Sequence, residues 1–157
     1  MAELATLPPS RCREIFERVE RSSEADEVEI LLLAGRQALT RFANNSIHQN
    51  VEEETALLSV RAVVGQRTAR ATTNRFDDDS IRRVVNEATA MARLQAPDPE
   101  LLPVTEQCSY QGVDRFDESA AAATPRFRAE EVGKAVEIAG AHSLTAAGIF
   151  ATGVSAE

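Results

Sequence analysis

Two histidines, His48 and His142, and two cysteines, Cys12 and Cys108, are the soft ligands and nucleophiles of this chain. A zinc enzyme typically keeps three protein ligands and one open position. His48 and Glu52 are four residues apart. On a helix they would share a face. On a strand they also share one, but lie roughly 13 Å apart, too far for one ion. His142 falls where a helix ends, and interaction with the dipole or solvent accounts for it. No H-E-x-x-H, G-x-S-x-G, phosphate-binding glycine loop or dinucleotide fingerprint occurs. A Cys–His pair assembled in space stays open, although Cys12 lies on an apolar stripe and reads as core. The run Asp77-Asp78-Asp79-Ser80 reads as a helix cap rather than a metal site. Arginines are more informative. Arg61 interrupts an apolar strand, and Arg67 and Arg70 follow on the next. A guanidinium inside a sheet either pairs with a carboxylate, with Glu52–Glu54 as the candidate, or grips a peptide carbonyl or carboxylate.

The elements that position these groups follow from periodicity. Cys12, Ile15, Phe16 and Val19 form a helical stripe over residues 10–22, with Ser10 as the expected N-cap. Glu14 with Arg18 and Glu17 with Arg21 are i,i+4 pairs on its solvent face. From residue 27 to 73 the period is two and β-branched residues collect. Strands are expected at Val28–Ala34, Ala38–Ala43, Ile47–Glu54, Ala56–Val64 and Arg67–Thr73. Gly35-Arg36-Gln37, Asn44-Asn45-Ser46 and Gly65-Gln66 separate successive runs. Short connections favour an antiparallel meander. A second helix carries Ile81, Val84, Val85, Ala88, Met91 and Ala92 on one face. Pro97, Pro99 and Pro103 break the chain, with a short strand expected over Gln107–Val113. Thr124-Pro125 opens a third helix that should bury Phe127, Val132, Val136 and Ala139. Leu144–Val154 alternates weakly, as a last strand. The fold class expected is α+β, an antiparallel β-meander sheet with helices packed on one face. Residues 1–143 form one such domain, and residues 144–157 begin a strand leading into a downstream domain.

The whole-chain arithmetic narrows the partners. With 157 residues and 43% hydrophobic residues, the chain can build a proper core. Its net charge is −8, which argues against nucleic acid and against an anionic membrane surface. The longest aliphatic run is far short of the roughly 20 residues a membrane span needs. Two distant cysteines and the absence of a signal-peptide pattern point to a reducing cytoplasm. Lys134 is the single lysine, which reads as genomic bias before function.

The succession of segments carries a family resemblance. Leu39-Thr40-Arg41-Phe42-Ala43-Asn44-Asn45-Ser46-Ile47-His48-Gln49 resembles the N-terminal domain of the TldD/PmbA family, also called peptidase U62 or "modulator of DNA gyrase" proteins. Ser59–Ala69, Thr72-Thr73-Asn74 and the helix opened by Asp79-Ser80-Ile81 extend the likeness, as does the strand with Ala147-Gly148-Ile149. The resemblance implies that these residues are the N-terminal third of a longer protein. It also implies a family in which one branch carries a zinc-binding H-E-x-x-x-H farther along and its partner branch, the PmbA-like one, does not. The two branches form a heterodimeric metalloprotease that degrades unfolded or extended peptides, including microcin and antitoxin substrates. This sequence holds neither that motif nor its region. No catalytic, cofactor or metal residue is therefore carried over, and the chain alone is expected to be inactive. Zinc would belong to the full-length protein or to its partner subunit. The expected partners are a TldD/PmbA-family subunit, in a homo- or heterodimer, and an extended peptide. Arg41, Asn45, His48, Arg61 and Arg67 are the candidate peptide-contact or structural ion-pair residues. The polar strand Ile47–Glu54 looks like a sheet edge to which a peptide could add. The alternative is a protein-interaction or dimerisation module of the gyrase-modulator type, without peptidase chemistry.

Overall fold

The computed structural model describes residues 7–105, 109, 111 and 115–156. In chain order the elements are α1 (Pro9–Ser22), β1 (Glu27–Ala43), β2 (Ser46–Val64), β3 (Arg67–Thr73), α2 (Asp78–Leu94), α3 (Glu118–Ala121), α4 (Pro125–Ala141) and β4 (Gly148–Ala156). The strands form one sheet in the order β3-β2-β1-β4. The α+β class and the antiparallel sheet are as the sequence implies.

The five expected strands of the meander are three. Gly35-Arg36-Gln37 is not a turn, and β1 runs unbroken through it for 17 residues. Gly35 serves close approach instead: a Cβ there would sit 3.0 Å from the Val154 carbonyl oxygen of β4. Likewise Thr55 does not divide β2, which is 19 residues long. The true turns are two-residue hairpins. Asn44 and Asn45 have φ of 51° and 58°, the left-handed pair that a type I′ turn needs and that asparagine tolerates. Gly65, with φ of 58°, opens the β2–β3 turn, and its N–H donates to Asp26 Oδ2 at 2.7 Å.

Both long strands contribute one half to each of two compact units. Unit 1 comprises Met1–Ala34, Thr55–Gly112 and Ala156–Glu157. Its interior is mainly apolar, with Ser59, Ser80 and Thr89 the buried polar residues. Ile15 and Val19 of α1 meet Leu58, Val60 and Ala62 of β2 and Ile81, Val84, Val85, Ala88 and Ala92 of α2. Cys12 and Phe16 pack at the margin, so the predicted stripe of α1 is the one that is buried. Its cap differs from expectation. Pro8 is the N-cap residue and Pro9 opens the helix, with no side-chain cap bond; Ser10 lies within the first turn. Proline suits that position because its missing N–H would have no partner there. In α2, Asp77 caps as expected, accepting from Ser80 N at 3.0 Å. Met91, expected in the stripe, is 38% exposed. The Arg67–Val64 end of β3 pairs in register with β2 through Leu58↔Thr73, antiparallel.

Unit 2 comprises Gly35–Glu54 and Val113–Ser155. It contains the Asn44-Asn45 hairpin, the short helix α3, α4 and β4. Thr124 caps α4 by accepting from Phe127 N at 3.1 Å. The side buried by α4 is the expected one only in part, with Val136 and Ala139 half-buried. Val132 is buried but Phe127 is 44% exposed, and the most deeply buried residue of the helix is Arg128. β4 starts at Gly148 rather than Leu144, because Asn45 holds residues 144–146 beside the hairpin tip. α3 was not anticipated, and none of its residues is buried. The strand expected over residues 107–113, with Cys108, lies for most of its length outside the described residues. No helix among them is long and apolar enough to cross a membrane.

Candidate functional site

The five candidate residues do not converge on one site. In unit 1, Arg61 and Arg70 face each other directly across β2 and β3. Glu29 of β1 sits between them. Its Oε2 accepts from Arg61 Nη2 at 3.0 Å and its Oε1 from Arg70 Nη2 at 2.5 Å. Arg70 Nη1 also donates to Ser59 Oγ at 2.8 Å. Like charges directly opposite on a sheet are destabilising, and one shared carboxylate relieves this pair. The acid partner of Arg61 is therefore Glu29, not the Glu52–Glu54 run. Arg61 Nε is buried and makes no hydrogen bond. Arg67 lies at the other end of β3, where its Nε donates to the Gln95 carbonyl at 3.0 Å, capping the C-terminus of α2.

In unit 2, Asn45 is fully used by its own chain. Its Nδ2 donates to Leu144 O at 3.0 Å, its Oδ1 accepts from Ala146 N at 2.7 Å, and its backbone N–H donates to Ala146 O at 3.2 Å. Arg41 is exposed and reaches Gln49 Oε1 at 3.3 Å. His48 is exposed on β2, three residues beyond the turn.

Arg128 is the residue that sequence reading missed. It is 1% exposed. Nη1 donates to Ala123 O at 3.2 Å and to Thr152 Oγ1 at 3.1 Å, and Nη2 donates to Asn50 Oδ1 at 3.3 Å. Thr40, also buried, donates to the same Asn50 oxygen at 3.3 Å. Among the described residues no carboxylate pairs with Arg128. Neutral oxygens alone solvate a buried cation, and its Nε has no partner. The available signal was spacing: Arg128, Val132 and Val136 stand at i, i+4 and i+8, one face of α4.

The remaining chemical feature is an edge. β3 pairs with β2 only from Leu58 onward, and β1 takes the opposite side of β2. Among the described residues Ser46–Glu54 therefore has no strand on its outer side, and a free edge of this kind presents unpaired N–H and C=O groups. Nearly all of its side chains are exposed. As for metal, no three His, Cys, Asp or Glu side chains come together among the described residues. They do not fit a zinc ion.

Two pKa shifts accompany helix starts. The Ser80 backbone N–H, then its hydroxyl and Arg75, hold the Asp77 carboxyl below the usual aspartate value. The Ser119 hydroxyl, then the Ala120 N–H, do the same for Asp117 at α3.

A three-stranded meander backed by two helices, extended along the same hairpin by a fourth strand and a helix, defines a particular class of α+β domain. Residues 28–92, from the second residue of β1 into the last turns of α2, match the family described as PmbA/TldA metallopeptidase domain 1. Over those residues the chain is similar to the N-terminal domain of the TldD/PmbA family. Solved structures agree in fold. TldE from Thermococcus kodakarensis superposes with a TM-score of 0.76 at 21% identity, over 92% of this chain and 32% of that one. A proposed modulator of DNA gyrase from Bacteroides thetaiotaomicron gives 0.70 at 12% identity, over 96% and 36%. A second, from Thermotoga maritima, gives 0.65 at 11% identity, over 90% and 38%. The chain thus spans about a third of the length of these structures. No curated protein sequence matches it.

Proposed function

We propose that this chain is the non-catalytic N-terminal domain of a TldD/PmbA-type metallopeptidase-family protein, and that it helps to hold an extended peptide. The peptide adds as a strand along Ser46–Glu54. Zinc and the reacting groups belong to other parts of the full-length protein or to a partner subunit of the same family, and the assembly works in the cytoplasm, apart from nucleic acid and membranes. The observation that carries this reading is the outer side of β2, left bare over nine consecutive strand residues among the described residues. Main-chain pairing recognises any extended sequence, which suits a protein concerned with unfolded peptides. Asn45 supports the site indirectly, because it fixes the hairpin from which that edge starts.

The test is fluorescence anisotropy of a neutral, extended octapeptide with the 157-residue chain. Two further probes carry N-methyl groups on alternate residues, one set on odd positions and one on even. Strand addition uses the N–H groups of only one parity. One methylated probe should lose at least tenfold in affinity and the other little. Equal binding by both, or no binding at all, would exclude the edge.

A second reading, an assembly module without peptide chemistry, draws on the exposed Phe127, Ile138, Leu144 and Ile149 of unit 2. It expects concentration-dependent dimers in sedimentation together with no peptide binding.

A further inference from the structure

We infer that the peptide selected by this edge is basic, an inference that rests on the strand-addition reading above and names its substrate class. Glu52, Glu53 and Glu54 are consecutive residues at the end of the bare segment. Successive side chains on a strand point to opposite faces. Glu52 and Glu54 therefore stand on one face of the edge and Glu53 on the other. A peptide laid alongside meets a carboxylate on either face, whatever its register.

These charges are poorly neutralised by the chain itself. Arg36 Nη1 is 4.0 Å from Glu52 Oε1, and its Nη2 is committed to the Ala121 carbonyl at 2.6 Å. Neither Glu53 nor Glu54 makes an ion pair among the described residues. The rest of the segment is neutral, with Ile47 and Val51 exposed beside His48, Gln49 and Asn50. The same three carboxylates argue against a second copy of this chain as the occupant. Two such edges brought together would set like charges against each other, the device by which edge strands avoid self-association. A strand bearing lysine or arginine relieves that charge, and an acidic strand adds to it.

Opposite-charge pairs across a strand favour association by roughly two- to thirtyfold for two pairs. The effect should weaken with salt, because the groups are exposed. The experiment compares three octapeptides of matched strand propensity, one neutral, one with alternating lysines and one with glutamates at the same positions. The native chain should bind them in the order basic, neutral, acidic. The double variants Glu53→Gln/Glu54→Gln and Glu53→Lys/Glu54→Lys should flatten and then invert that order. A control, Glu20→Lys/Glu87→Lys, alters net charge equally at exposed helix positions and should leave the order unchanged. Equal binding of all three peptides, with methylation still blocking one parity, overturns the charge selection and leaves the edge standing. So does a control that flattens the order as much as the edge variants do. Binding that ignores methylation, or fails for every peptide, overturns both.

Discussion

Leu58 and Thr40 are both fully buried on the long strands, but in different company. Leu58 belongs to unit 1, where it meets isoleucine, valine and alanine from two helices and a neighbouring strand. Thr40 belongs to unit 2, where it donates to Asn50, which also receives the guanidinium of Arg128. Unit 1 is held by apolar burial, which is non-directional and tolerant. Unit 2 places hydrogen bonds at its centre, and each depends on position. A polar centre adds little hydrophobic stabilisation, because burying a cation costs free energy unless it is well partnered. What it specifies is geometry: one guanidinium ties α4 to the loop before it, to β4 and to the strand that offers the free edge. The stable unit thus carries the fold, and the more polar one carries the surface proposed to bind.

The most disruptive way to probe that contrast is Leu58→Ala. A large-to-small change at a fully buried site costs about 2–5 kcal/mol, read as a lower urea midpoint. Protection of α2 amides against hydrogen exchange should fall with it. The matching change in unit 2 is a pair of variants. Arg128→Ala leaves the Ala123 carbonyl, Thr152 hydroxyl and Asn50 amide oxygen without their donor, and should cost about 1–3 kcal/mol. Arg128→Met keeps much of the volume but leaves the same three acceptors without a donor, so it should recover less than half of that loss. If methionine is as damaging as alanine, hydrogen bonding rather than filling holds unit 2 together. If it is better than the native residue, the cation is retained for specificity.

How far the sequence revealed this molecule divides along the same line. Unit 1 was legible because hydrophobic periodicity records apolar burial directly. The stripes of α1 and α2, the Asp77 cap and the β2–β3 turn followed from it. Unit 2 was legible at its turn and at the Thr124 cap, both set by local backbone chemistry. Arg128 was not, since an arginine on a helix is usually solvated and only the tertiary fold reveals its neutral partners. Gly35 misled for a related reason. A glycine kept for close contact with β4 looks, in sequence, like a glycine kept for a turn. Arg61 suggested an ion pair correctly in kind, but its partner Glu29 is 32 residues away, and no spacing rule reaches that far. The edge at Ser46–Glu54 was visible as a strand polar on both sides.

The smallest expected effect separates the units by pH. Asp77 caps α2, whose apolar face forms much of the unit 1 core. Its carboxyl is held below the ordinary value of 3.8, so the folded chain binds its proton later than the unfolded chain does. Its stabilising contribution is therefore complete above pH 3.8 and drains away as pH falls through the lower, folded value. Asp77→Asn keeps an acceptor for the Ser80 N–H but cannot titrate. The variant should be slightly less stable than the native chain at neutral pH, and the gap should close on acidification below 3.8. Asp117 has the same sign, with its carboxyl also held below 3.8, yet it caps a four-residue helix that buries nothing. Asp117→Asn should leave the acid limb of global unfolding where it was. A parallel shift in both variants would mean that α3 bears on stability despite its exposure, and the assignment of the fold's strength to unit 1 would have to be withdrawn.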